Sequence, residues 1–186
     1  INAGGRLGWE VSGFHMDFQN VVVATQVNGL PALENVGEEV FDGVETELSW
    51  FFGHDLQAQA AYALHHAKFG DYLADFGGTL QQLDGNRIEM SAEHLASLGV
   101  LYLPASRLNA SATANYVGSR YLNKRNTALA DAYVTWSAGV GYRIGDAEIR
   151  VDGVNLSDAR DPVSESELGD AQYYLLPARS IIATLR

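Results

Sequence analysis

The feature that most constrains this chain is a pair of alternating runs between Asp131 and Leu156, joined by Gly145-Asp146. Ala132, Val134, Trp136, Ala138, Val140 and Tyr142 share one parity, and Thr135, Ser137, Gly139, Gly141 and Arg143 share the other. A period of 2 describes a strand with one apolar face. Gly145-Asp146 interrupts the run, and beyond it Ala147, Ile149 and Val151 alternate with Glu148, Arg150 and Asp152. Glycine supplies the positive φ that a two-residue hairpin turn needs. The turn predicts a register: Ile144 opposite Ala147, Arg143 opposite Glu148, Tyr142 opposite Ile149, and Val140 opposite Val151. Apolar then meets apolar and Arg meets Glu, whereas a slip of one residue would mix the faces.

The same grammar recurs along the chain. A first strand runs from about Leu7 to Asn20, with an apolar set that changes phase at Gly13, a signature of a β-bulge. Val21 to about Phe41, with Asn28-Gly29, reads mostly as loop, although Val21-Val22-Val23 could extend the strand. Val44 to Phe52 and Leu56 to Leu64 pair across Gly53-His54-Asp55, placing Phe52 opposite Leu56 and Trp50 opposite Ala58. Ala67 to Ser91 has no sustained period and carries Gly77-Gly78 and Asp84-Gly85-Asn86, which are turn residues. Glu93 to Leu103 and Leu108 to Tyr116 flank a turn at Pro104-Ala105-Ser106, with Tyr102 opposite Leu108 and Val100 opposite Ala110. After a polar loop over 121–130 comes the hairpin described above, with a second phase change and predicted bulge at Gly153. An acidic loop over 157–177 and a last strand, Arg179 to Arg186, complete the chain.

The predicted fold is therefore all-β: an antiparallel meander of about eight strands, long and short connections alternating strictly. All short turns fall at one end and all long loops at the other. Trp50, Phe52, Tyr102 and Tyr142 sit toward the short-turn end of the apolar face, and Tyr62 and Tyr116 toward the long-loop end. Two aromatic girdles, and strands of roughly the length that crosses a bilayer at a tilt, are marks of an outer-membrane barrel. Gln57, Gln59, Ser111, Thr113, Asn115, Ser137, Gly139, Arg150 and Asp152 would then line a wet interior. A soluble barrel inverts the two faces, and alternation by itself leaves that choice open.

The 186 residues carry a net charge of −11 with only 12 Lys and Arg, which argues against a nucleic-acid partner. Zero cysteines remove disulfides and thiolate chemistry. No long apolar run predicts a transmembrane helix. The chain opens at Ile1 with neither Met nor signal peptide, and reads as a processed or excised piece.

Several local patterns resemble those of TonB-dependent outer-membrane receptors. Val40-Phe41-Asp42-Gly43-Val44-Glu45-Thr46-Glu47-Leu48 resembles that family's "G-V-E" strand entry, and Leu83-Asp84-Gly85-Asn86-Arg87-Ile88 its "G-N-R" loop. Asn115-Tyr116-Val117-Gly118-Ser119-Arg120-Tyr121 resembles a recurrent strand end. Val154-Asn155-Leu156-Ser157-Asp158 resembles the "N-L-x-D" motif before the last loop, with a closing strand near Pro177-Ala178-Arg179-Ser180. The resemblance implies that residues 1–186 form the C-terminal part of a transmembrane barrel of about 22 strands, with plug domain and earlier strands absent. It implies uptake of a scarce solute, most often a ferric siderophore, powered by TonB through the plug. The missing plug and coupling segment mean that this piece alone could not transport, and the chain lacks the terminal aromatic common in such barrels.

No catalytic constellation stands out: there is no G-x-S-x-G, H-E-x-x-H or phosphate-binding loop. The expectation is a non-enzyme without cofactor or metal. His65 and His66 point to opposite faces and cannot chelate from one side, and His15, His54 and His94 are isolated. Ser164-Glu165-Ser166-Glu167 reads as solvated loop. Glu148, Arg150 and Asp152 read as a charged lumen ladder with partners such as Arg143. The candidate solute-binding residues are Tyr72, Arg87, Lys124, Arg125, Tyr173 and Tyr174, because binding groups favour loops on a rigid scaffold and these offer flat rings and donors. The expected partners are outer-membrane lipid, TonB and a small solute such as an iron chelate. Two other readings stay open: a self-contained eight-stranded outer-membrane barrel with a structural or adhesion role, and a soluble ligand-binding barrel. Pairing of the first strand with the last would mark a closed ring and exclude the receptor-fragment reading.

Overall fold

A computed structural model describes residues 2–3, 6–27, 30–35, 37–53, 55–76, 78–165 and 173–186 of the chain. His54, Gly77, Asn28-Gly29, Ser166-Glu167 and Asp170 lie outside the described residues. Eight long strands form the wall: β1 (Leu7–Gln19), β2 (Glu38–Phe52), β3 (Leu56–Phe69), β4 (His94–Tyr102), β5 (Leu108–Val117), β6 (Tyr133–Ile144), β7 (Ala147–Val154) and β8 (Ser180–Leu185). Each pairs antiparallel with its neighbours in the chain, in one sheet that Asn2–Ala3 extends beyond β1. Among the described residues β8 pairs with neither β1 nor Asn2–Ala3, so the sheet is open.

The sequence-derived registers hold at two of three short turns. Across Gly145-Asp146, Arg143 faces Glu148 and Val140 faces Val151, and Gly145 takes φ 62°. Across 53–55, Phe52 faces Leu56 and Trp50 faces Ala58. The third differs: Tyr102 faces Ala110 and Val100 faces Ala112, because the connection spans 103–107. A shift of two residues preserves every face, so parity could not detect it.

Both predicted bulges are absent. β1 and β2 pair one to one from Leu7↔Trp50 to Gln19↔Glu38, straight through Gly13↔Val44. β7 keeps step through Gly153, which faces Ala138 on one side and Ile181 on the other. At Gly153 the phase change is the end of the strand, where the Leu156 side chain folds back over the glycine.

At Gly13 the phase change has a larger cause. The outward apolar series Trp9–Val11, Val44–Trp50 and Leu56–Leu64 gives way, one step higher, to His15, Asp42 and His66, which are direct cross-strand neighbours. The inward series changes in the opposite sense, from Glu10 and Ser12 to Phe14, Met16 and Phe18. The strands run on while the chemistry of their two faces inverts. Eight residue steps separate Leu56 from Leu64, about 26 Å along the strand at roughly 3.3 Å per residue. Tilted by about 40°, that is near 20 Å, close to the apolar band of an outer-membrane barrel.

The exposed face is the apolar one. Trp136 is 55% exposed, Val140 52% and Tyr142 46%, while Gly139 and Gly141 between them are buried. Among the described residues, the buried apolar side chains are Ala67, Phe69, Tyr72, Leu83, Ala92 and Ala130, all at the long-loop end. A soluble barrel would instead pack large apolar side chains inside its ring. The long connections are more ordered than the sequence suggests, each folding into a two-stranded ribbon: Val22–Val27 with Leu30–Asn35, Leu73–Asp75 with Leu80–Gln82, Arg120–Tyr121 with Leu129–Ala130, and Pro162–Glu165 with Tyr173–Leu175.

Leu98 sits at mid-height on the outward face, beside Ala60 and Ala114, and Ser97 faces inward beside it. Leu98→Arg is expected to cost roughly 2–4 kcal/mol in folding into a bilayer, and Ser97→Arg less than about 1 kcal/mol. Urea titration of the intact protein in lipid vesicles measures both.

Candidate functional site

The inward face reads as rows from the short-turn end upward. Glu10 lies directly opposite Glu47, and Glu47 opposite Ala61; one row higher, Ser12 faces Glu45 and Glu45 faces Ala63. Like charges directly opposed are unfavourable by themselves. With Ser97, these residues line an open concavity of about 320 Å³. Among the described residues no Lys or Arg pairs with Glu10, Glu45 or Glu47, and Glu45 Oε1 meets the ring of His65, whose Nε2 lies 3.0 Å away. Sequence reading saw no carboxylate pair here, because Glu10 and Glu47 come from different strands and meet only through register.

Above this acidic floor the rows become aromatic. The Phe14 ring lies over Gly43, which has no side chain to obstruct it, and meets His65 edge-on at 5.4 Å. Phe18 and Phe41 make a second edge contact at 5.6 Å. His66 points to the other face and bonds Glu93, Nδ1 to Oε1, at 3.3 Å. The two histidines are thus separated as alternation requires.

On β5–β7 the lumen ladder is fully engaged. Arg150 donates from Nε to Asp152 Oδ1 at 2.8 Å, from Nη1 to Asn109 Oδ1 at 2.9 Å and from Nη2 to Ser111 Oγ at 2.8 Å. Asn109 in turn donates to Glu148 Oε1 at 2.9 Å. The guanidinium and its partners fill the space over Gly139 and Gly141, where any Cβ would collide with them. Arg143, proposed as a ladder partner, faces Glu148 only through the backbone register.

The N-L-x-D resemblance acquires a mechanism. Asn155 is 7% exposed with φ 49°. Its Nδ2 donates to the carbonyls of Ala159 at 2.9 Å and Pro177 at 2.8 Å, and its Oδ1 accepts from Ala159 N at 3.1 Å. Asp158 Oδ1 accepts from Arg179 N at 2.9 Å. Two short side chains therefore tie the exit of β7 to the entry of β8 across the last loop.

Four of the six candidate binding residues converge where the loop over 70–93 meets the loop over 118–132. Tyr72 is 1% exposed and packs with Phe69 and Leu83. Gln82 Oε1 accepts from Tyr72 N at 3.1 Å and Leu83 N at 2.9 Å, and so shapes the turn. Lys124 Nζ donates to the Tyr72 hydroxyl at 3.1 Å and lies 3.8 Å from Glu89 Oε1. Arg87 pairs with Glu93 at 3.4 Å and stands over the Tyr121 ring at 5.6 Å. Arg125 stands over Phe76 at 4.8 Å and is exposed. Tyr173 joins the cluster's edge through a hydroxyl bond to Leu122 O at 3.4 Å, whereas Tyr174 projects from its ribbon, 62% exposed. Sequence reading missed Glu89 and Asn126 in this cluster, the latter a loop Asn at φ 55°.

Burial alone lowers the Lys124 ammonium, but the Tyr72 hydrogen bond and then the charges of Glu89, Tyr72 and Glu39 outweigh it and hold the group above the usual lysine range. A raised pKa means stabilisation that is complete below the unfolded value, roughly 10.4 for lysine, and is lost as pH rises through the folded value. Protection of the 70–93 loop against hydrogen exchange, corrected for intrinsic rate, is therefore expected to be flat across the neutral range and to fall only at strongly alkaline pH. Lys124→Met should remove about 1 kcal/mol of that protection and abolish the alkaline fall.

The β-barrel model of the TonB dependent receptor-like family matches residues 2–156. Among solved structures, the siderophore receptor PiuA from Acinetobacter baumannii superposes with a TM-score of 0.81 at 21% identity, over 98% of this chain and 26% of that one. The ferric yersiniabactin uptake receptor FyuA from Yersinia pestis gives 0.80 at 18% identity, over 98% of this chain and 28% of its own. The ferric citrate transporter FecA gives 0.75 at 19%, over 96% and 28%. At these identities the likeness is one of fold, and the chain spans little more than a quarter of each. No curated protein matches the chain.

Proposed function

The chain belongs to the TonB-dependent receptor β-barrel family of the bacterial outer membrane, and from that premise we propose that it supplies the C-terminal part of the wall of an energy-coupled receptor for a scarce solute. The observation that carries the reading is an open meander with its apolar face outward and its polar face inward. An open edge leaves backbone groups that only further strands could satisfy in lipid. The favoured solute class is an iron chelate, supported by the siderophore and ferric citrate specificities named for the similar structures. The proposed activity is transport, with no bond made or broken.

Within this reading the six candidate residues divide by exposure. Arg125 and Tyr174 face solvent and are proposed to meet the solute, while Tyr72, Arg87, Lys124 and Tyr173 hold the loops that present them. The carboxylates Glu10, Glu45 and Glu47 line the lumen with no Lys or Arg partner among the described residues. A plug domain carrying basic residues on the facing surface is the complementary occupant.

The test is uptake of radiolabelled ferric chelates by cells expressing the intact receptor, with and without TonB. Saturable uptake that disappears without TonB is expected, and uptake indifferent to TonB would overturn the reading. In the same assay Glu47→Lys should cut uptake at least several-fold through repulsion of the plug, with barrel assembly unchanged on gels.

A further inference from the structure

We propose that the two loops over 70–93 and 118–132 act as one rigid body, clamped by Asn126, so that a contact made by either is felt by both. Asn126 uses both ends of its side chain on a single residue of the other loop. Its Oδ1 accepts from Arg87 N at 2.8 Å, and its Nδ2 donates to Arg87 O at 2.8 Å. A primary amide is a peptide group in miniature, with one acceptor and adjacent donors, and it serves Arg87 as a neighbouring strand would. Asparagine also tolerates φ 55° better than most residues, and its Nδ2 keeps a longer bond to Asn123 O, 3.3 Å, within its own loop.

The clamp is not alone. Asn86 reaches back the other way, Nδ2 to Lys124 O at 3.0 Å, and Met90 N donates to Tyr121 O at 2.7 Å. Lys124 on Tyr72, Arg125 over Phe76 and Arg87 over Tyr121 add three cation contacts across the same seam. Donors, acceptors and charges from both loops alternate along it, so neither loop can leave without opening the whole seam. The inference rests on the long loops standing outside the lipid, but its readout is independent of solute and of TonB.

The test is hydrogen–deuterium exchange on the intact receptor in lipid vesicles. Asn126→Gly keeps the backbone conformation open to the chain while deleting the amide. The expected result is a rise of roughly tenfold or more in exchange at Arg87–Met90 and over 120–128 together, the size expected from losing a hydrogen bond or two, with β4 to β6 unchanged. A rise confined to 118–132, with 86–90 as protected as before, would overturn the proposal. Should Asn126→Gly prevent folding, seen as lost protection in β4 to β6, then Asn86→Ala decides: both loops loosening supports one body, and loosening of 70–93 alone overturns it.

Discussion

In hydrocarbon there is no water to satisfy a peptide N–H or C=O, so each strand that crosses must find both neighbours. Everything else in this chain follows from that constraint. It requires a meander with no skipped partner, which is what β1 to β8 form. It lets side chains be sorted by face alone, because backbone pairing is already saturated. It also explains why so little of the wall is buried by its own side chains. The wall is held by its ladder, and among the described residues the buried apolar cluster lies around Phe69, Tyr72 and Leu83, at the long-loop end.

That division explains what was legible beforehand. Alternation is clear on the strands flanking Gly145-Asp146 and 53–55, where each position faces either lipid or lumen, so those strands and registers could be read directly, whereas β4 blurs it with Leu95 and Leu101 on its inward face. The register at 103–107 could not, since a two-residue shift leaves no chemical trace. The glycines misled for a physical reason. A change of phase at Gly13 predicts a change in backbone geometry, whereas the backbone is regular and the surroundings change. Outside the lipid, the rule that assigns apolar residues to the outer face no longer applies.

The site was less legible than the scaffold. Aromatic and basic loop residues stand out in the sequence as a group, but their chemistry suits a solute and a neighbouring loop equally well. Tyr72 and Lys124 are engaged with each other, which spacing over 52 residues cannot reveal. The acidic concavity depends on Glu10 and Glu47 being brought opposite each other by the β1–β2 register. Asn126 carries no sequence signal beyond being an asparagine in a polar loop, although it makes the most exacting polar contact between the two loops.

The inversion of faces above Gly13, Val44 and Leu64 also gives the mouth of the wall a shape. β3 continues five residues past Leu64 to Phe69, about 16 Å of strand at roughly 3.3 Å per residue, whereas β4 begins at His94, level with Leu64. The wall over β1–β3 is therefore a parapet, wettable outside and aromatic within, and beside it the loop over 70–93 takes the place of β4, with Arg87 bridging Lys68. The same three strands thus carry an acidic lower lumen at Glu10, Glu45 and Glu47 and an aromatic rim at Phe14, Phe18 and Phe41, two surfaces of opposite chemistry on one continuous backbone.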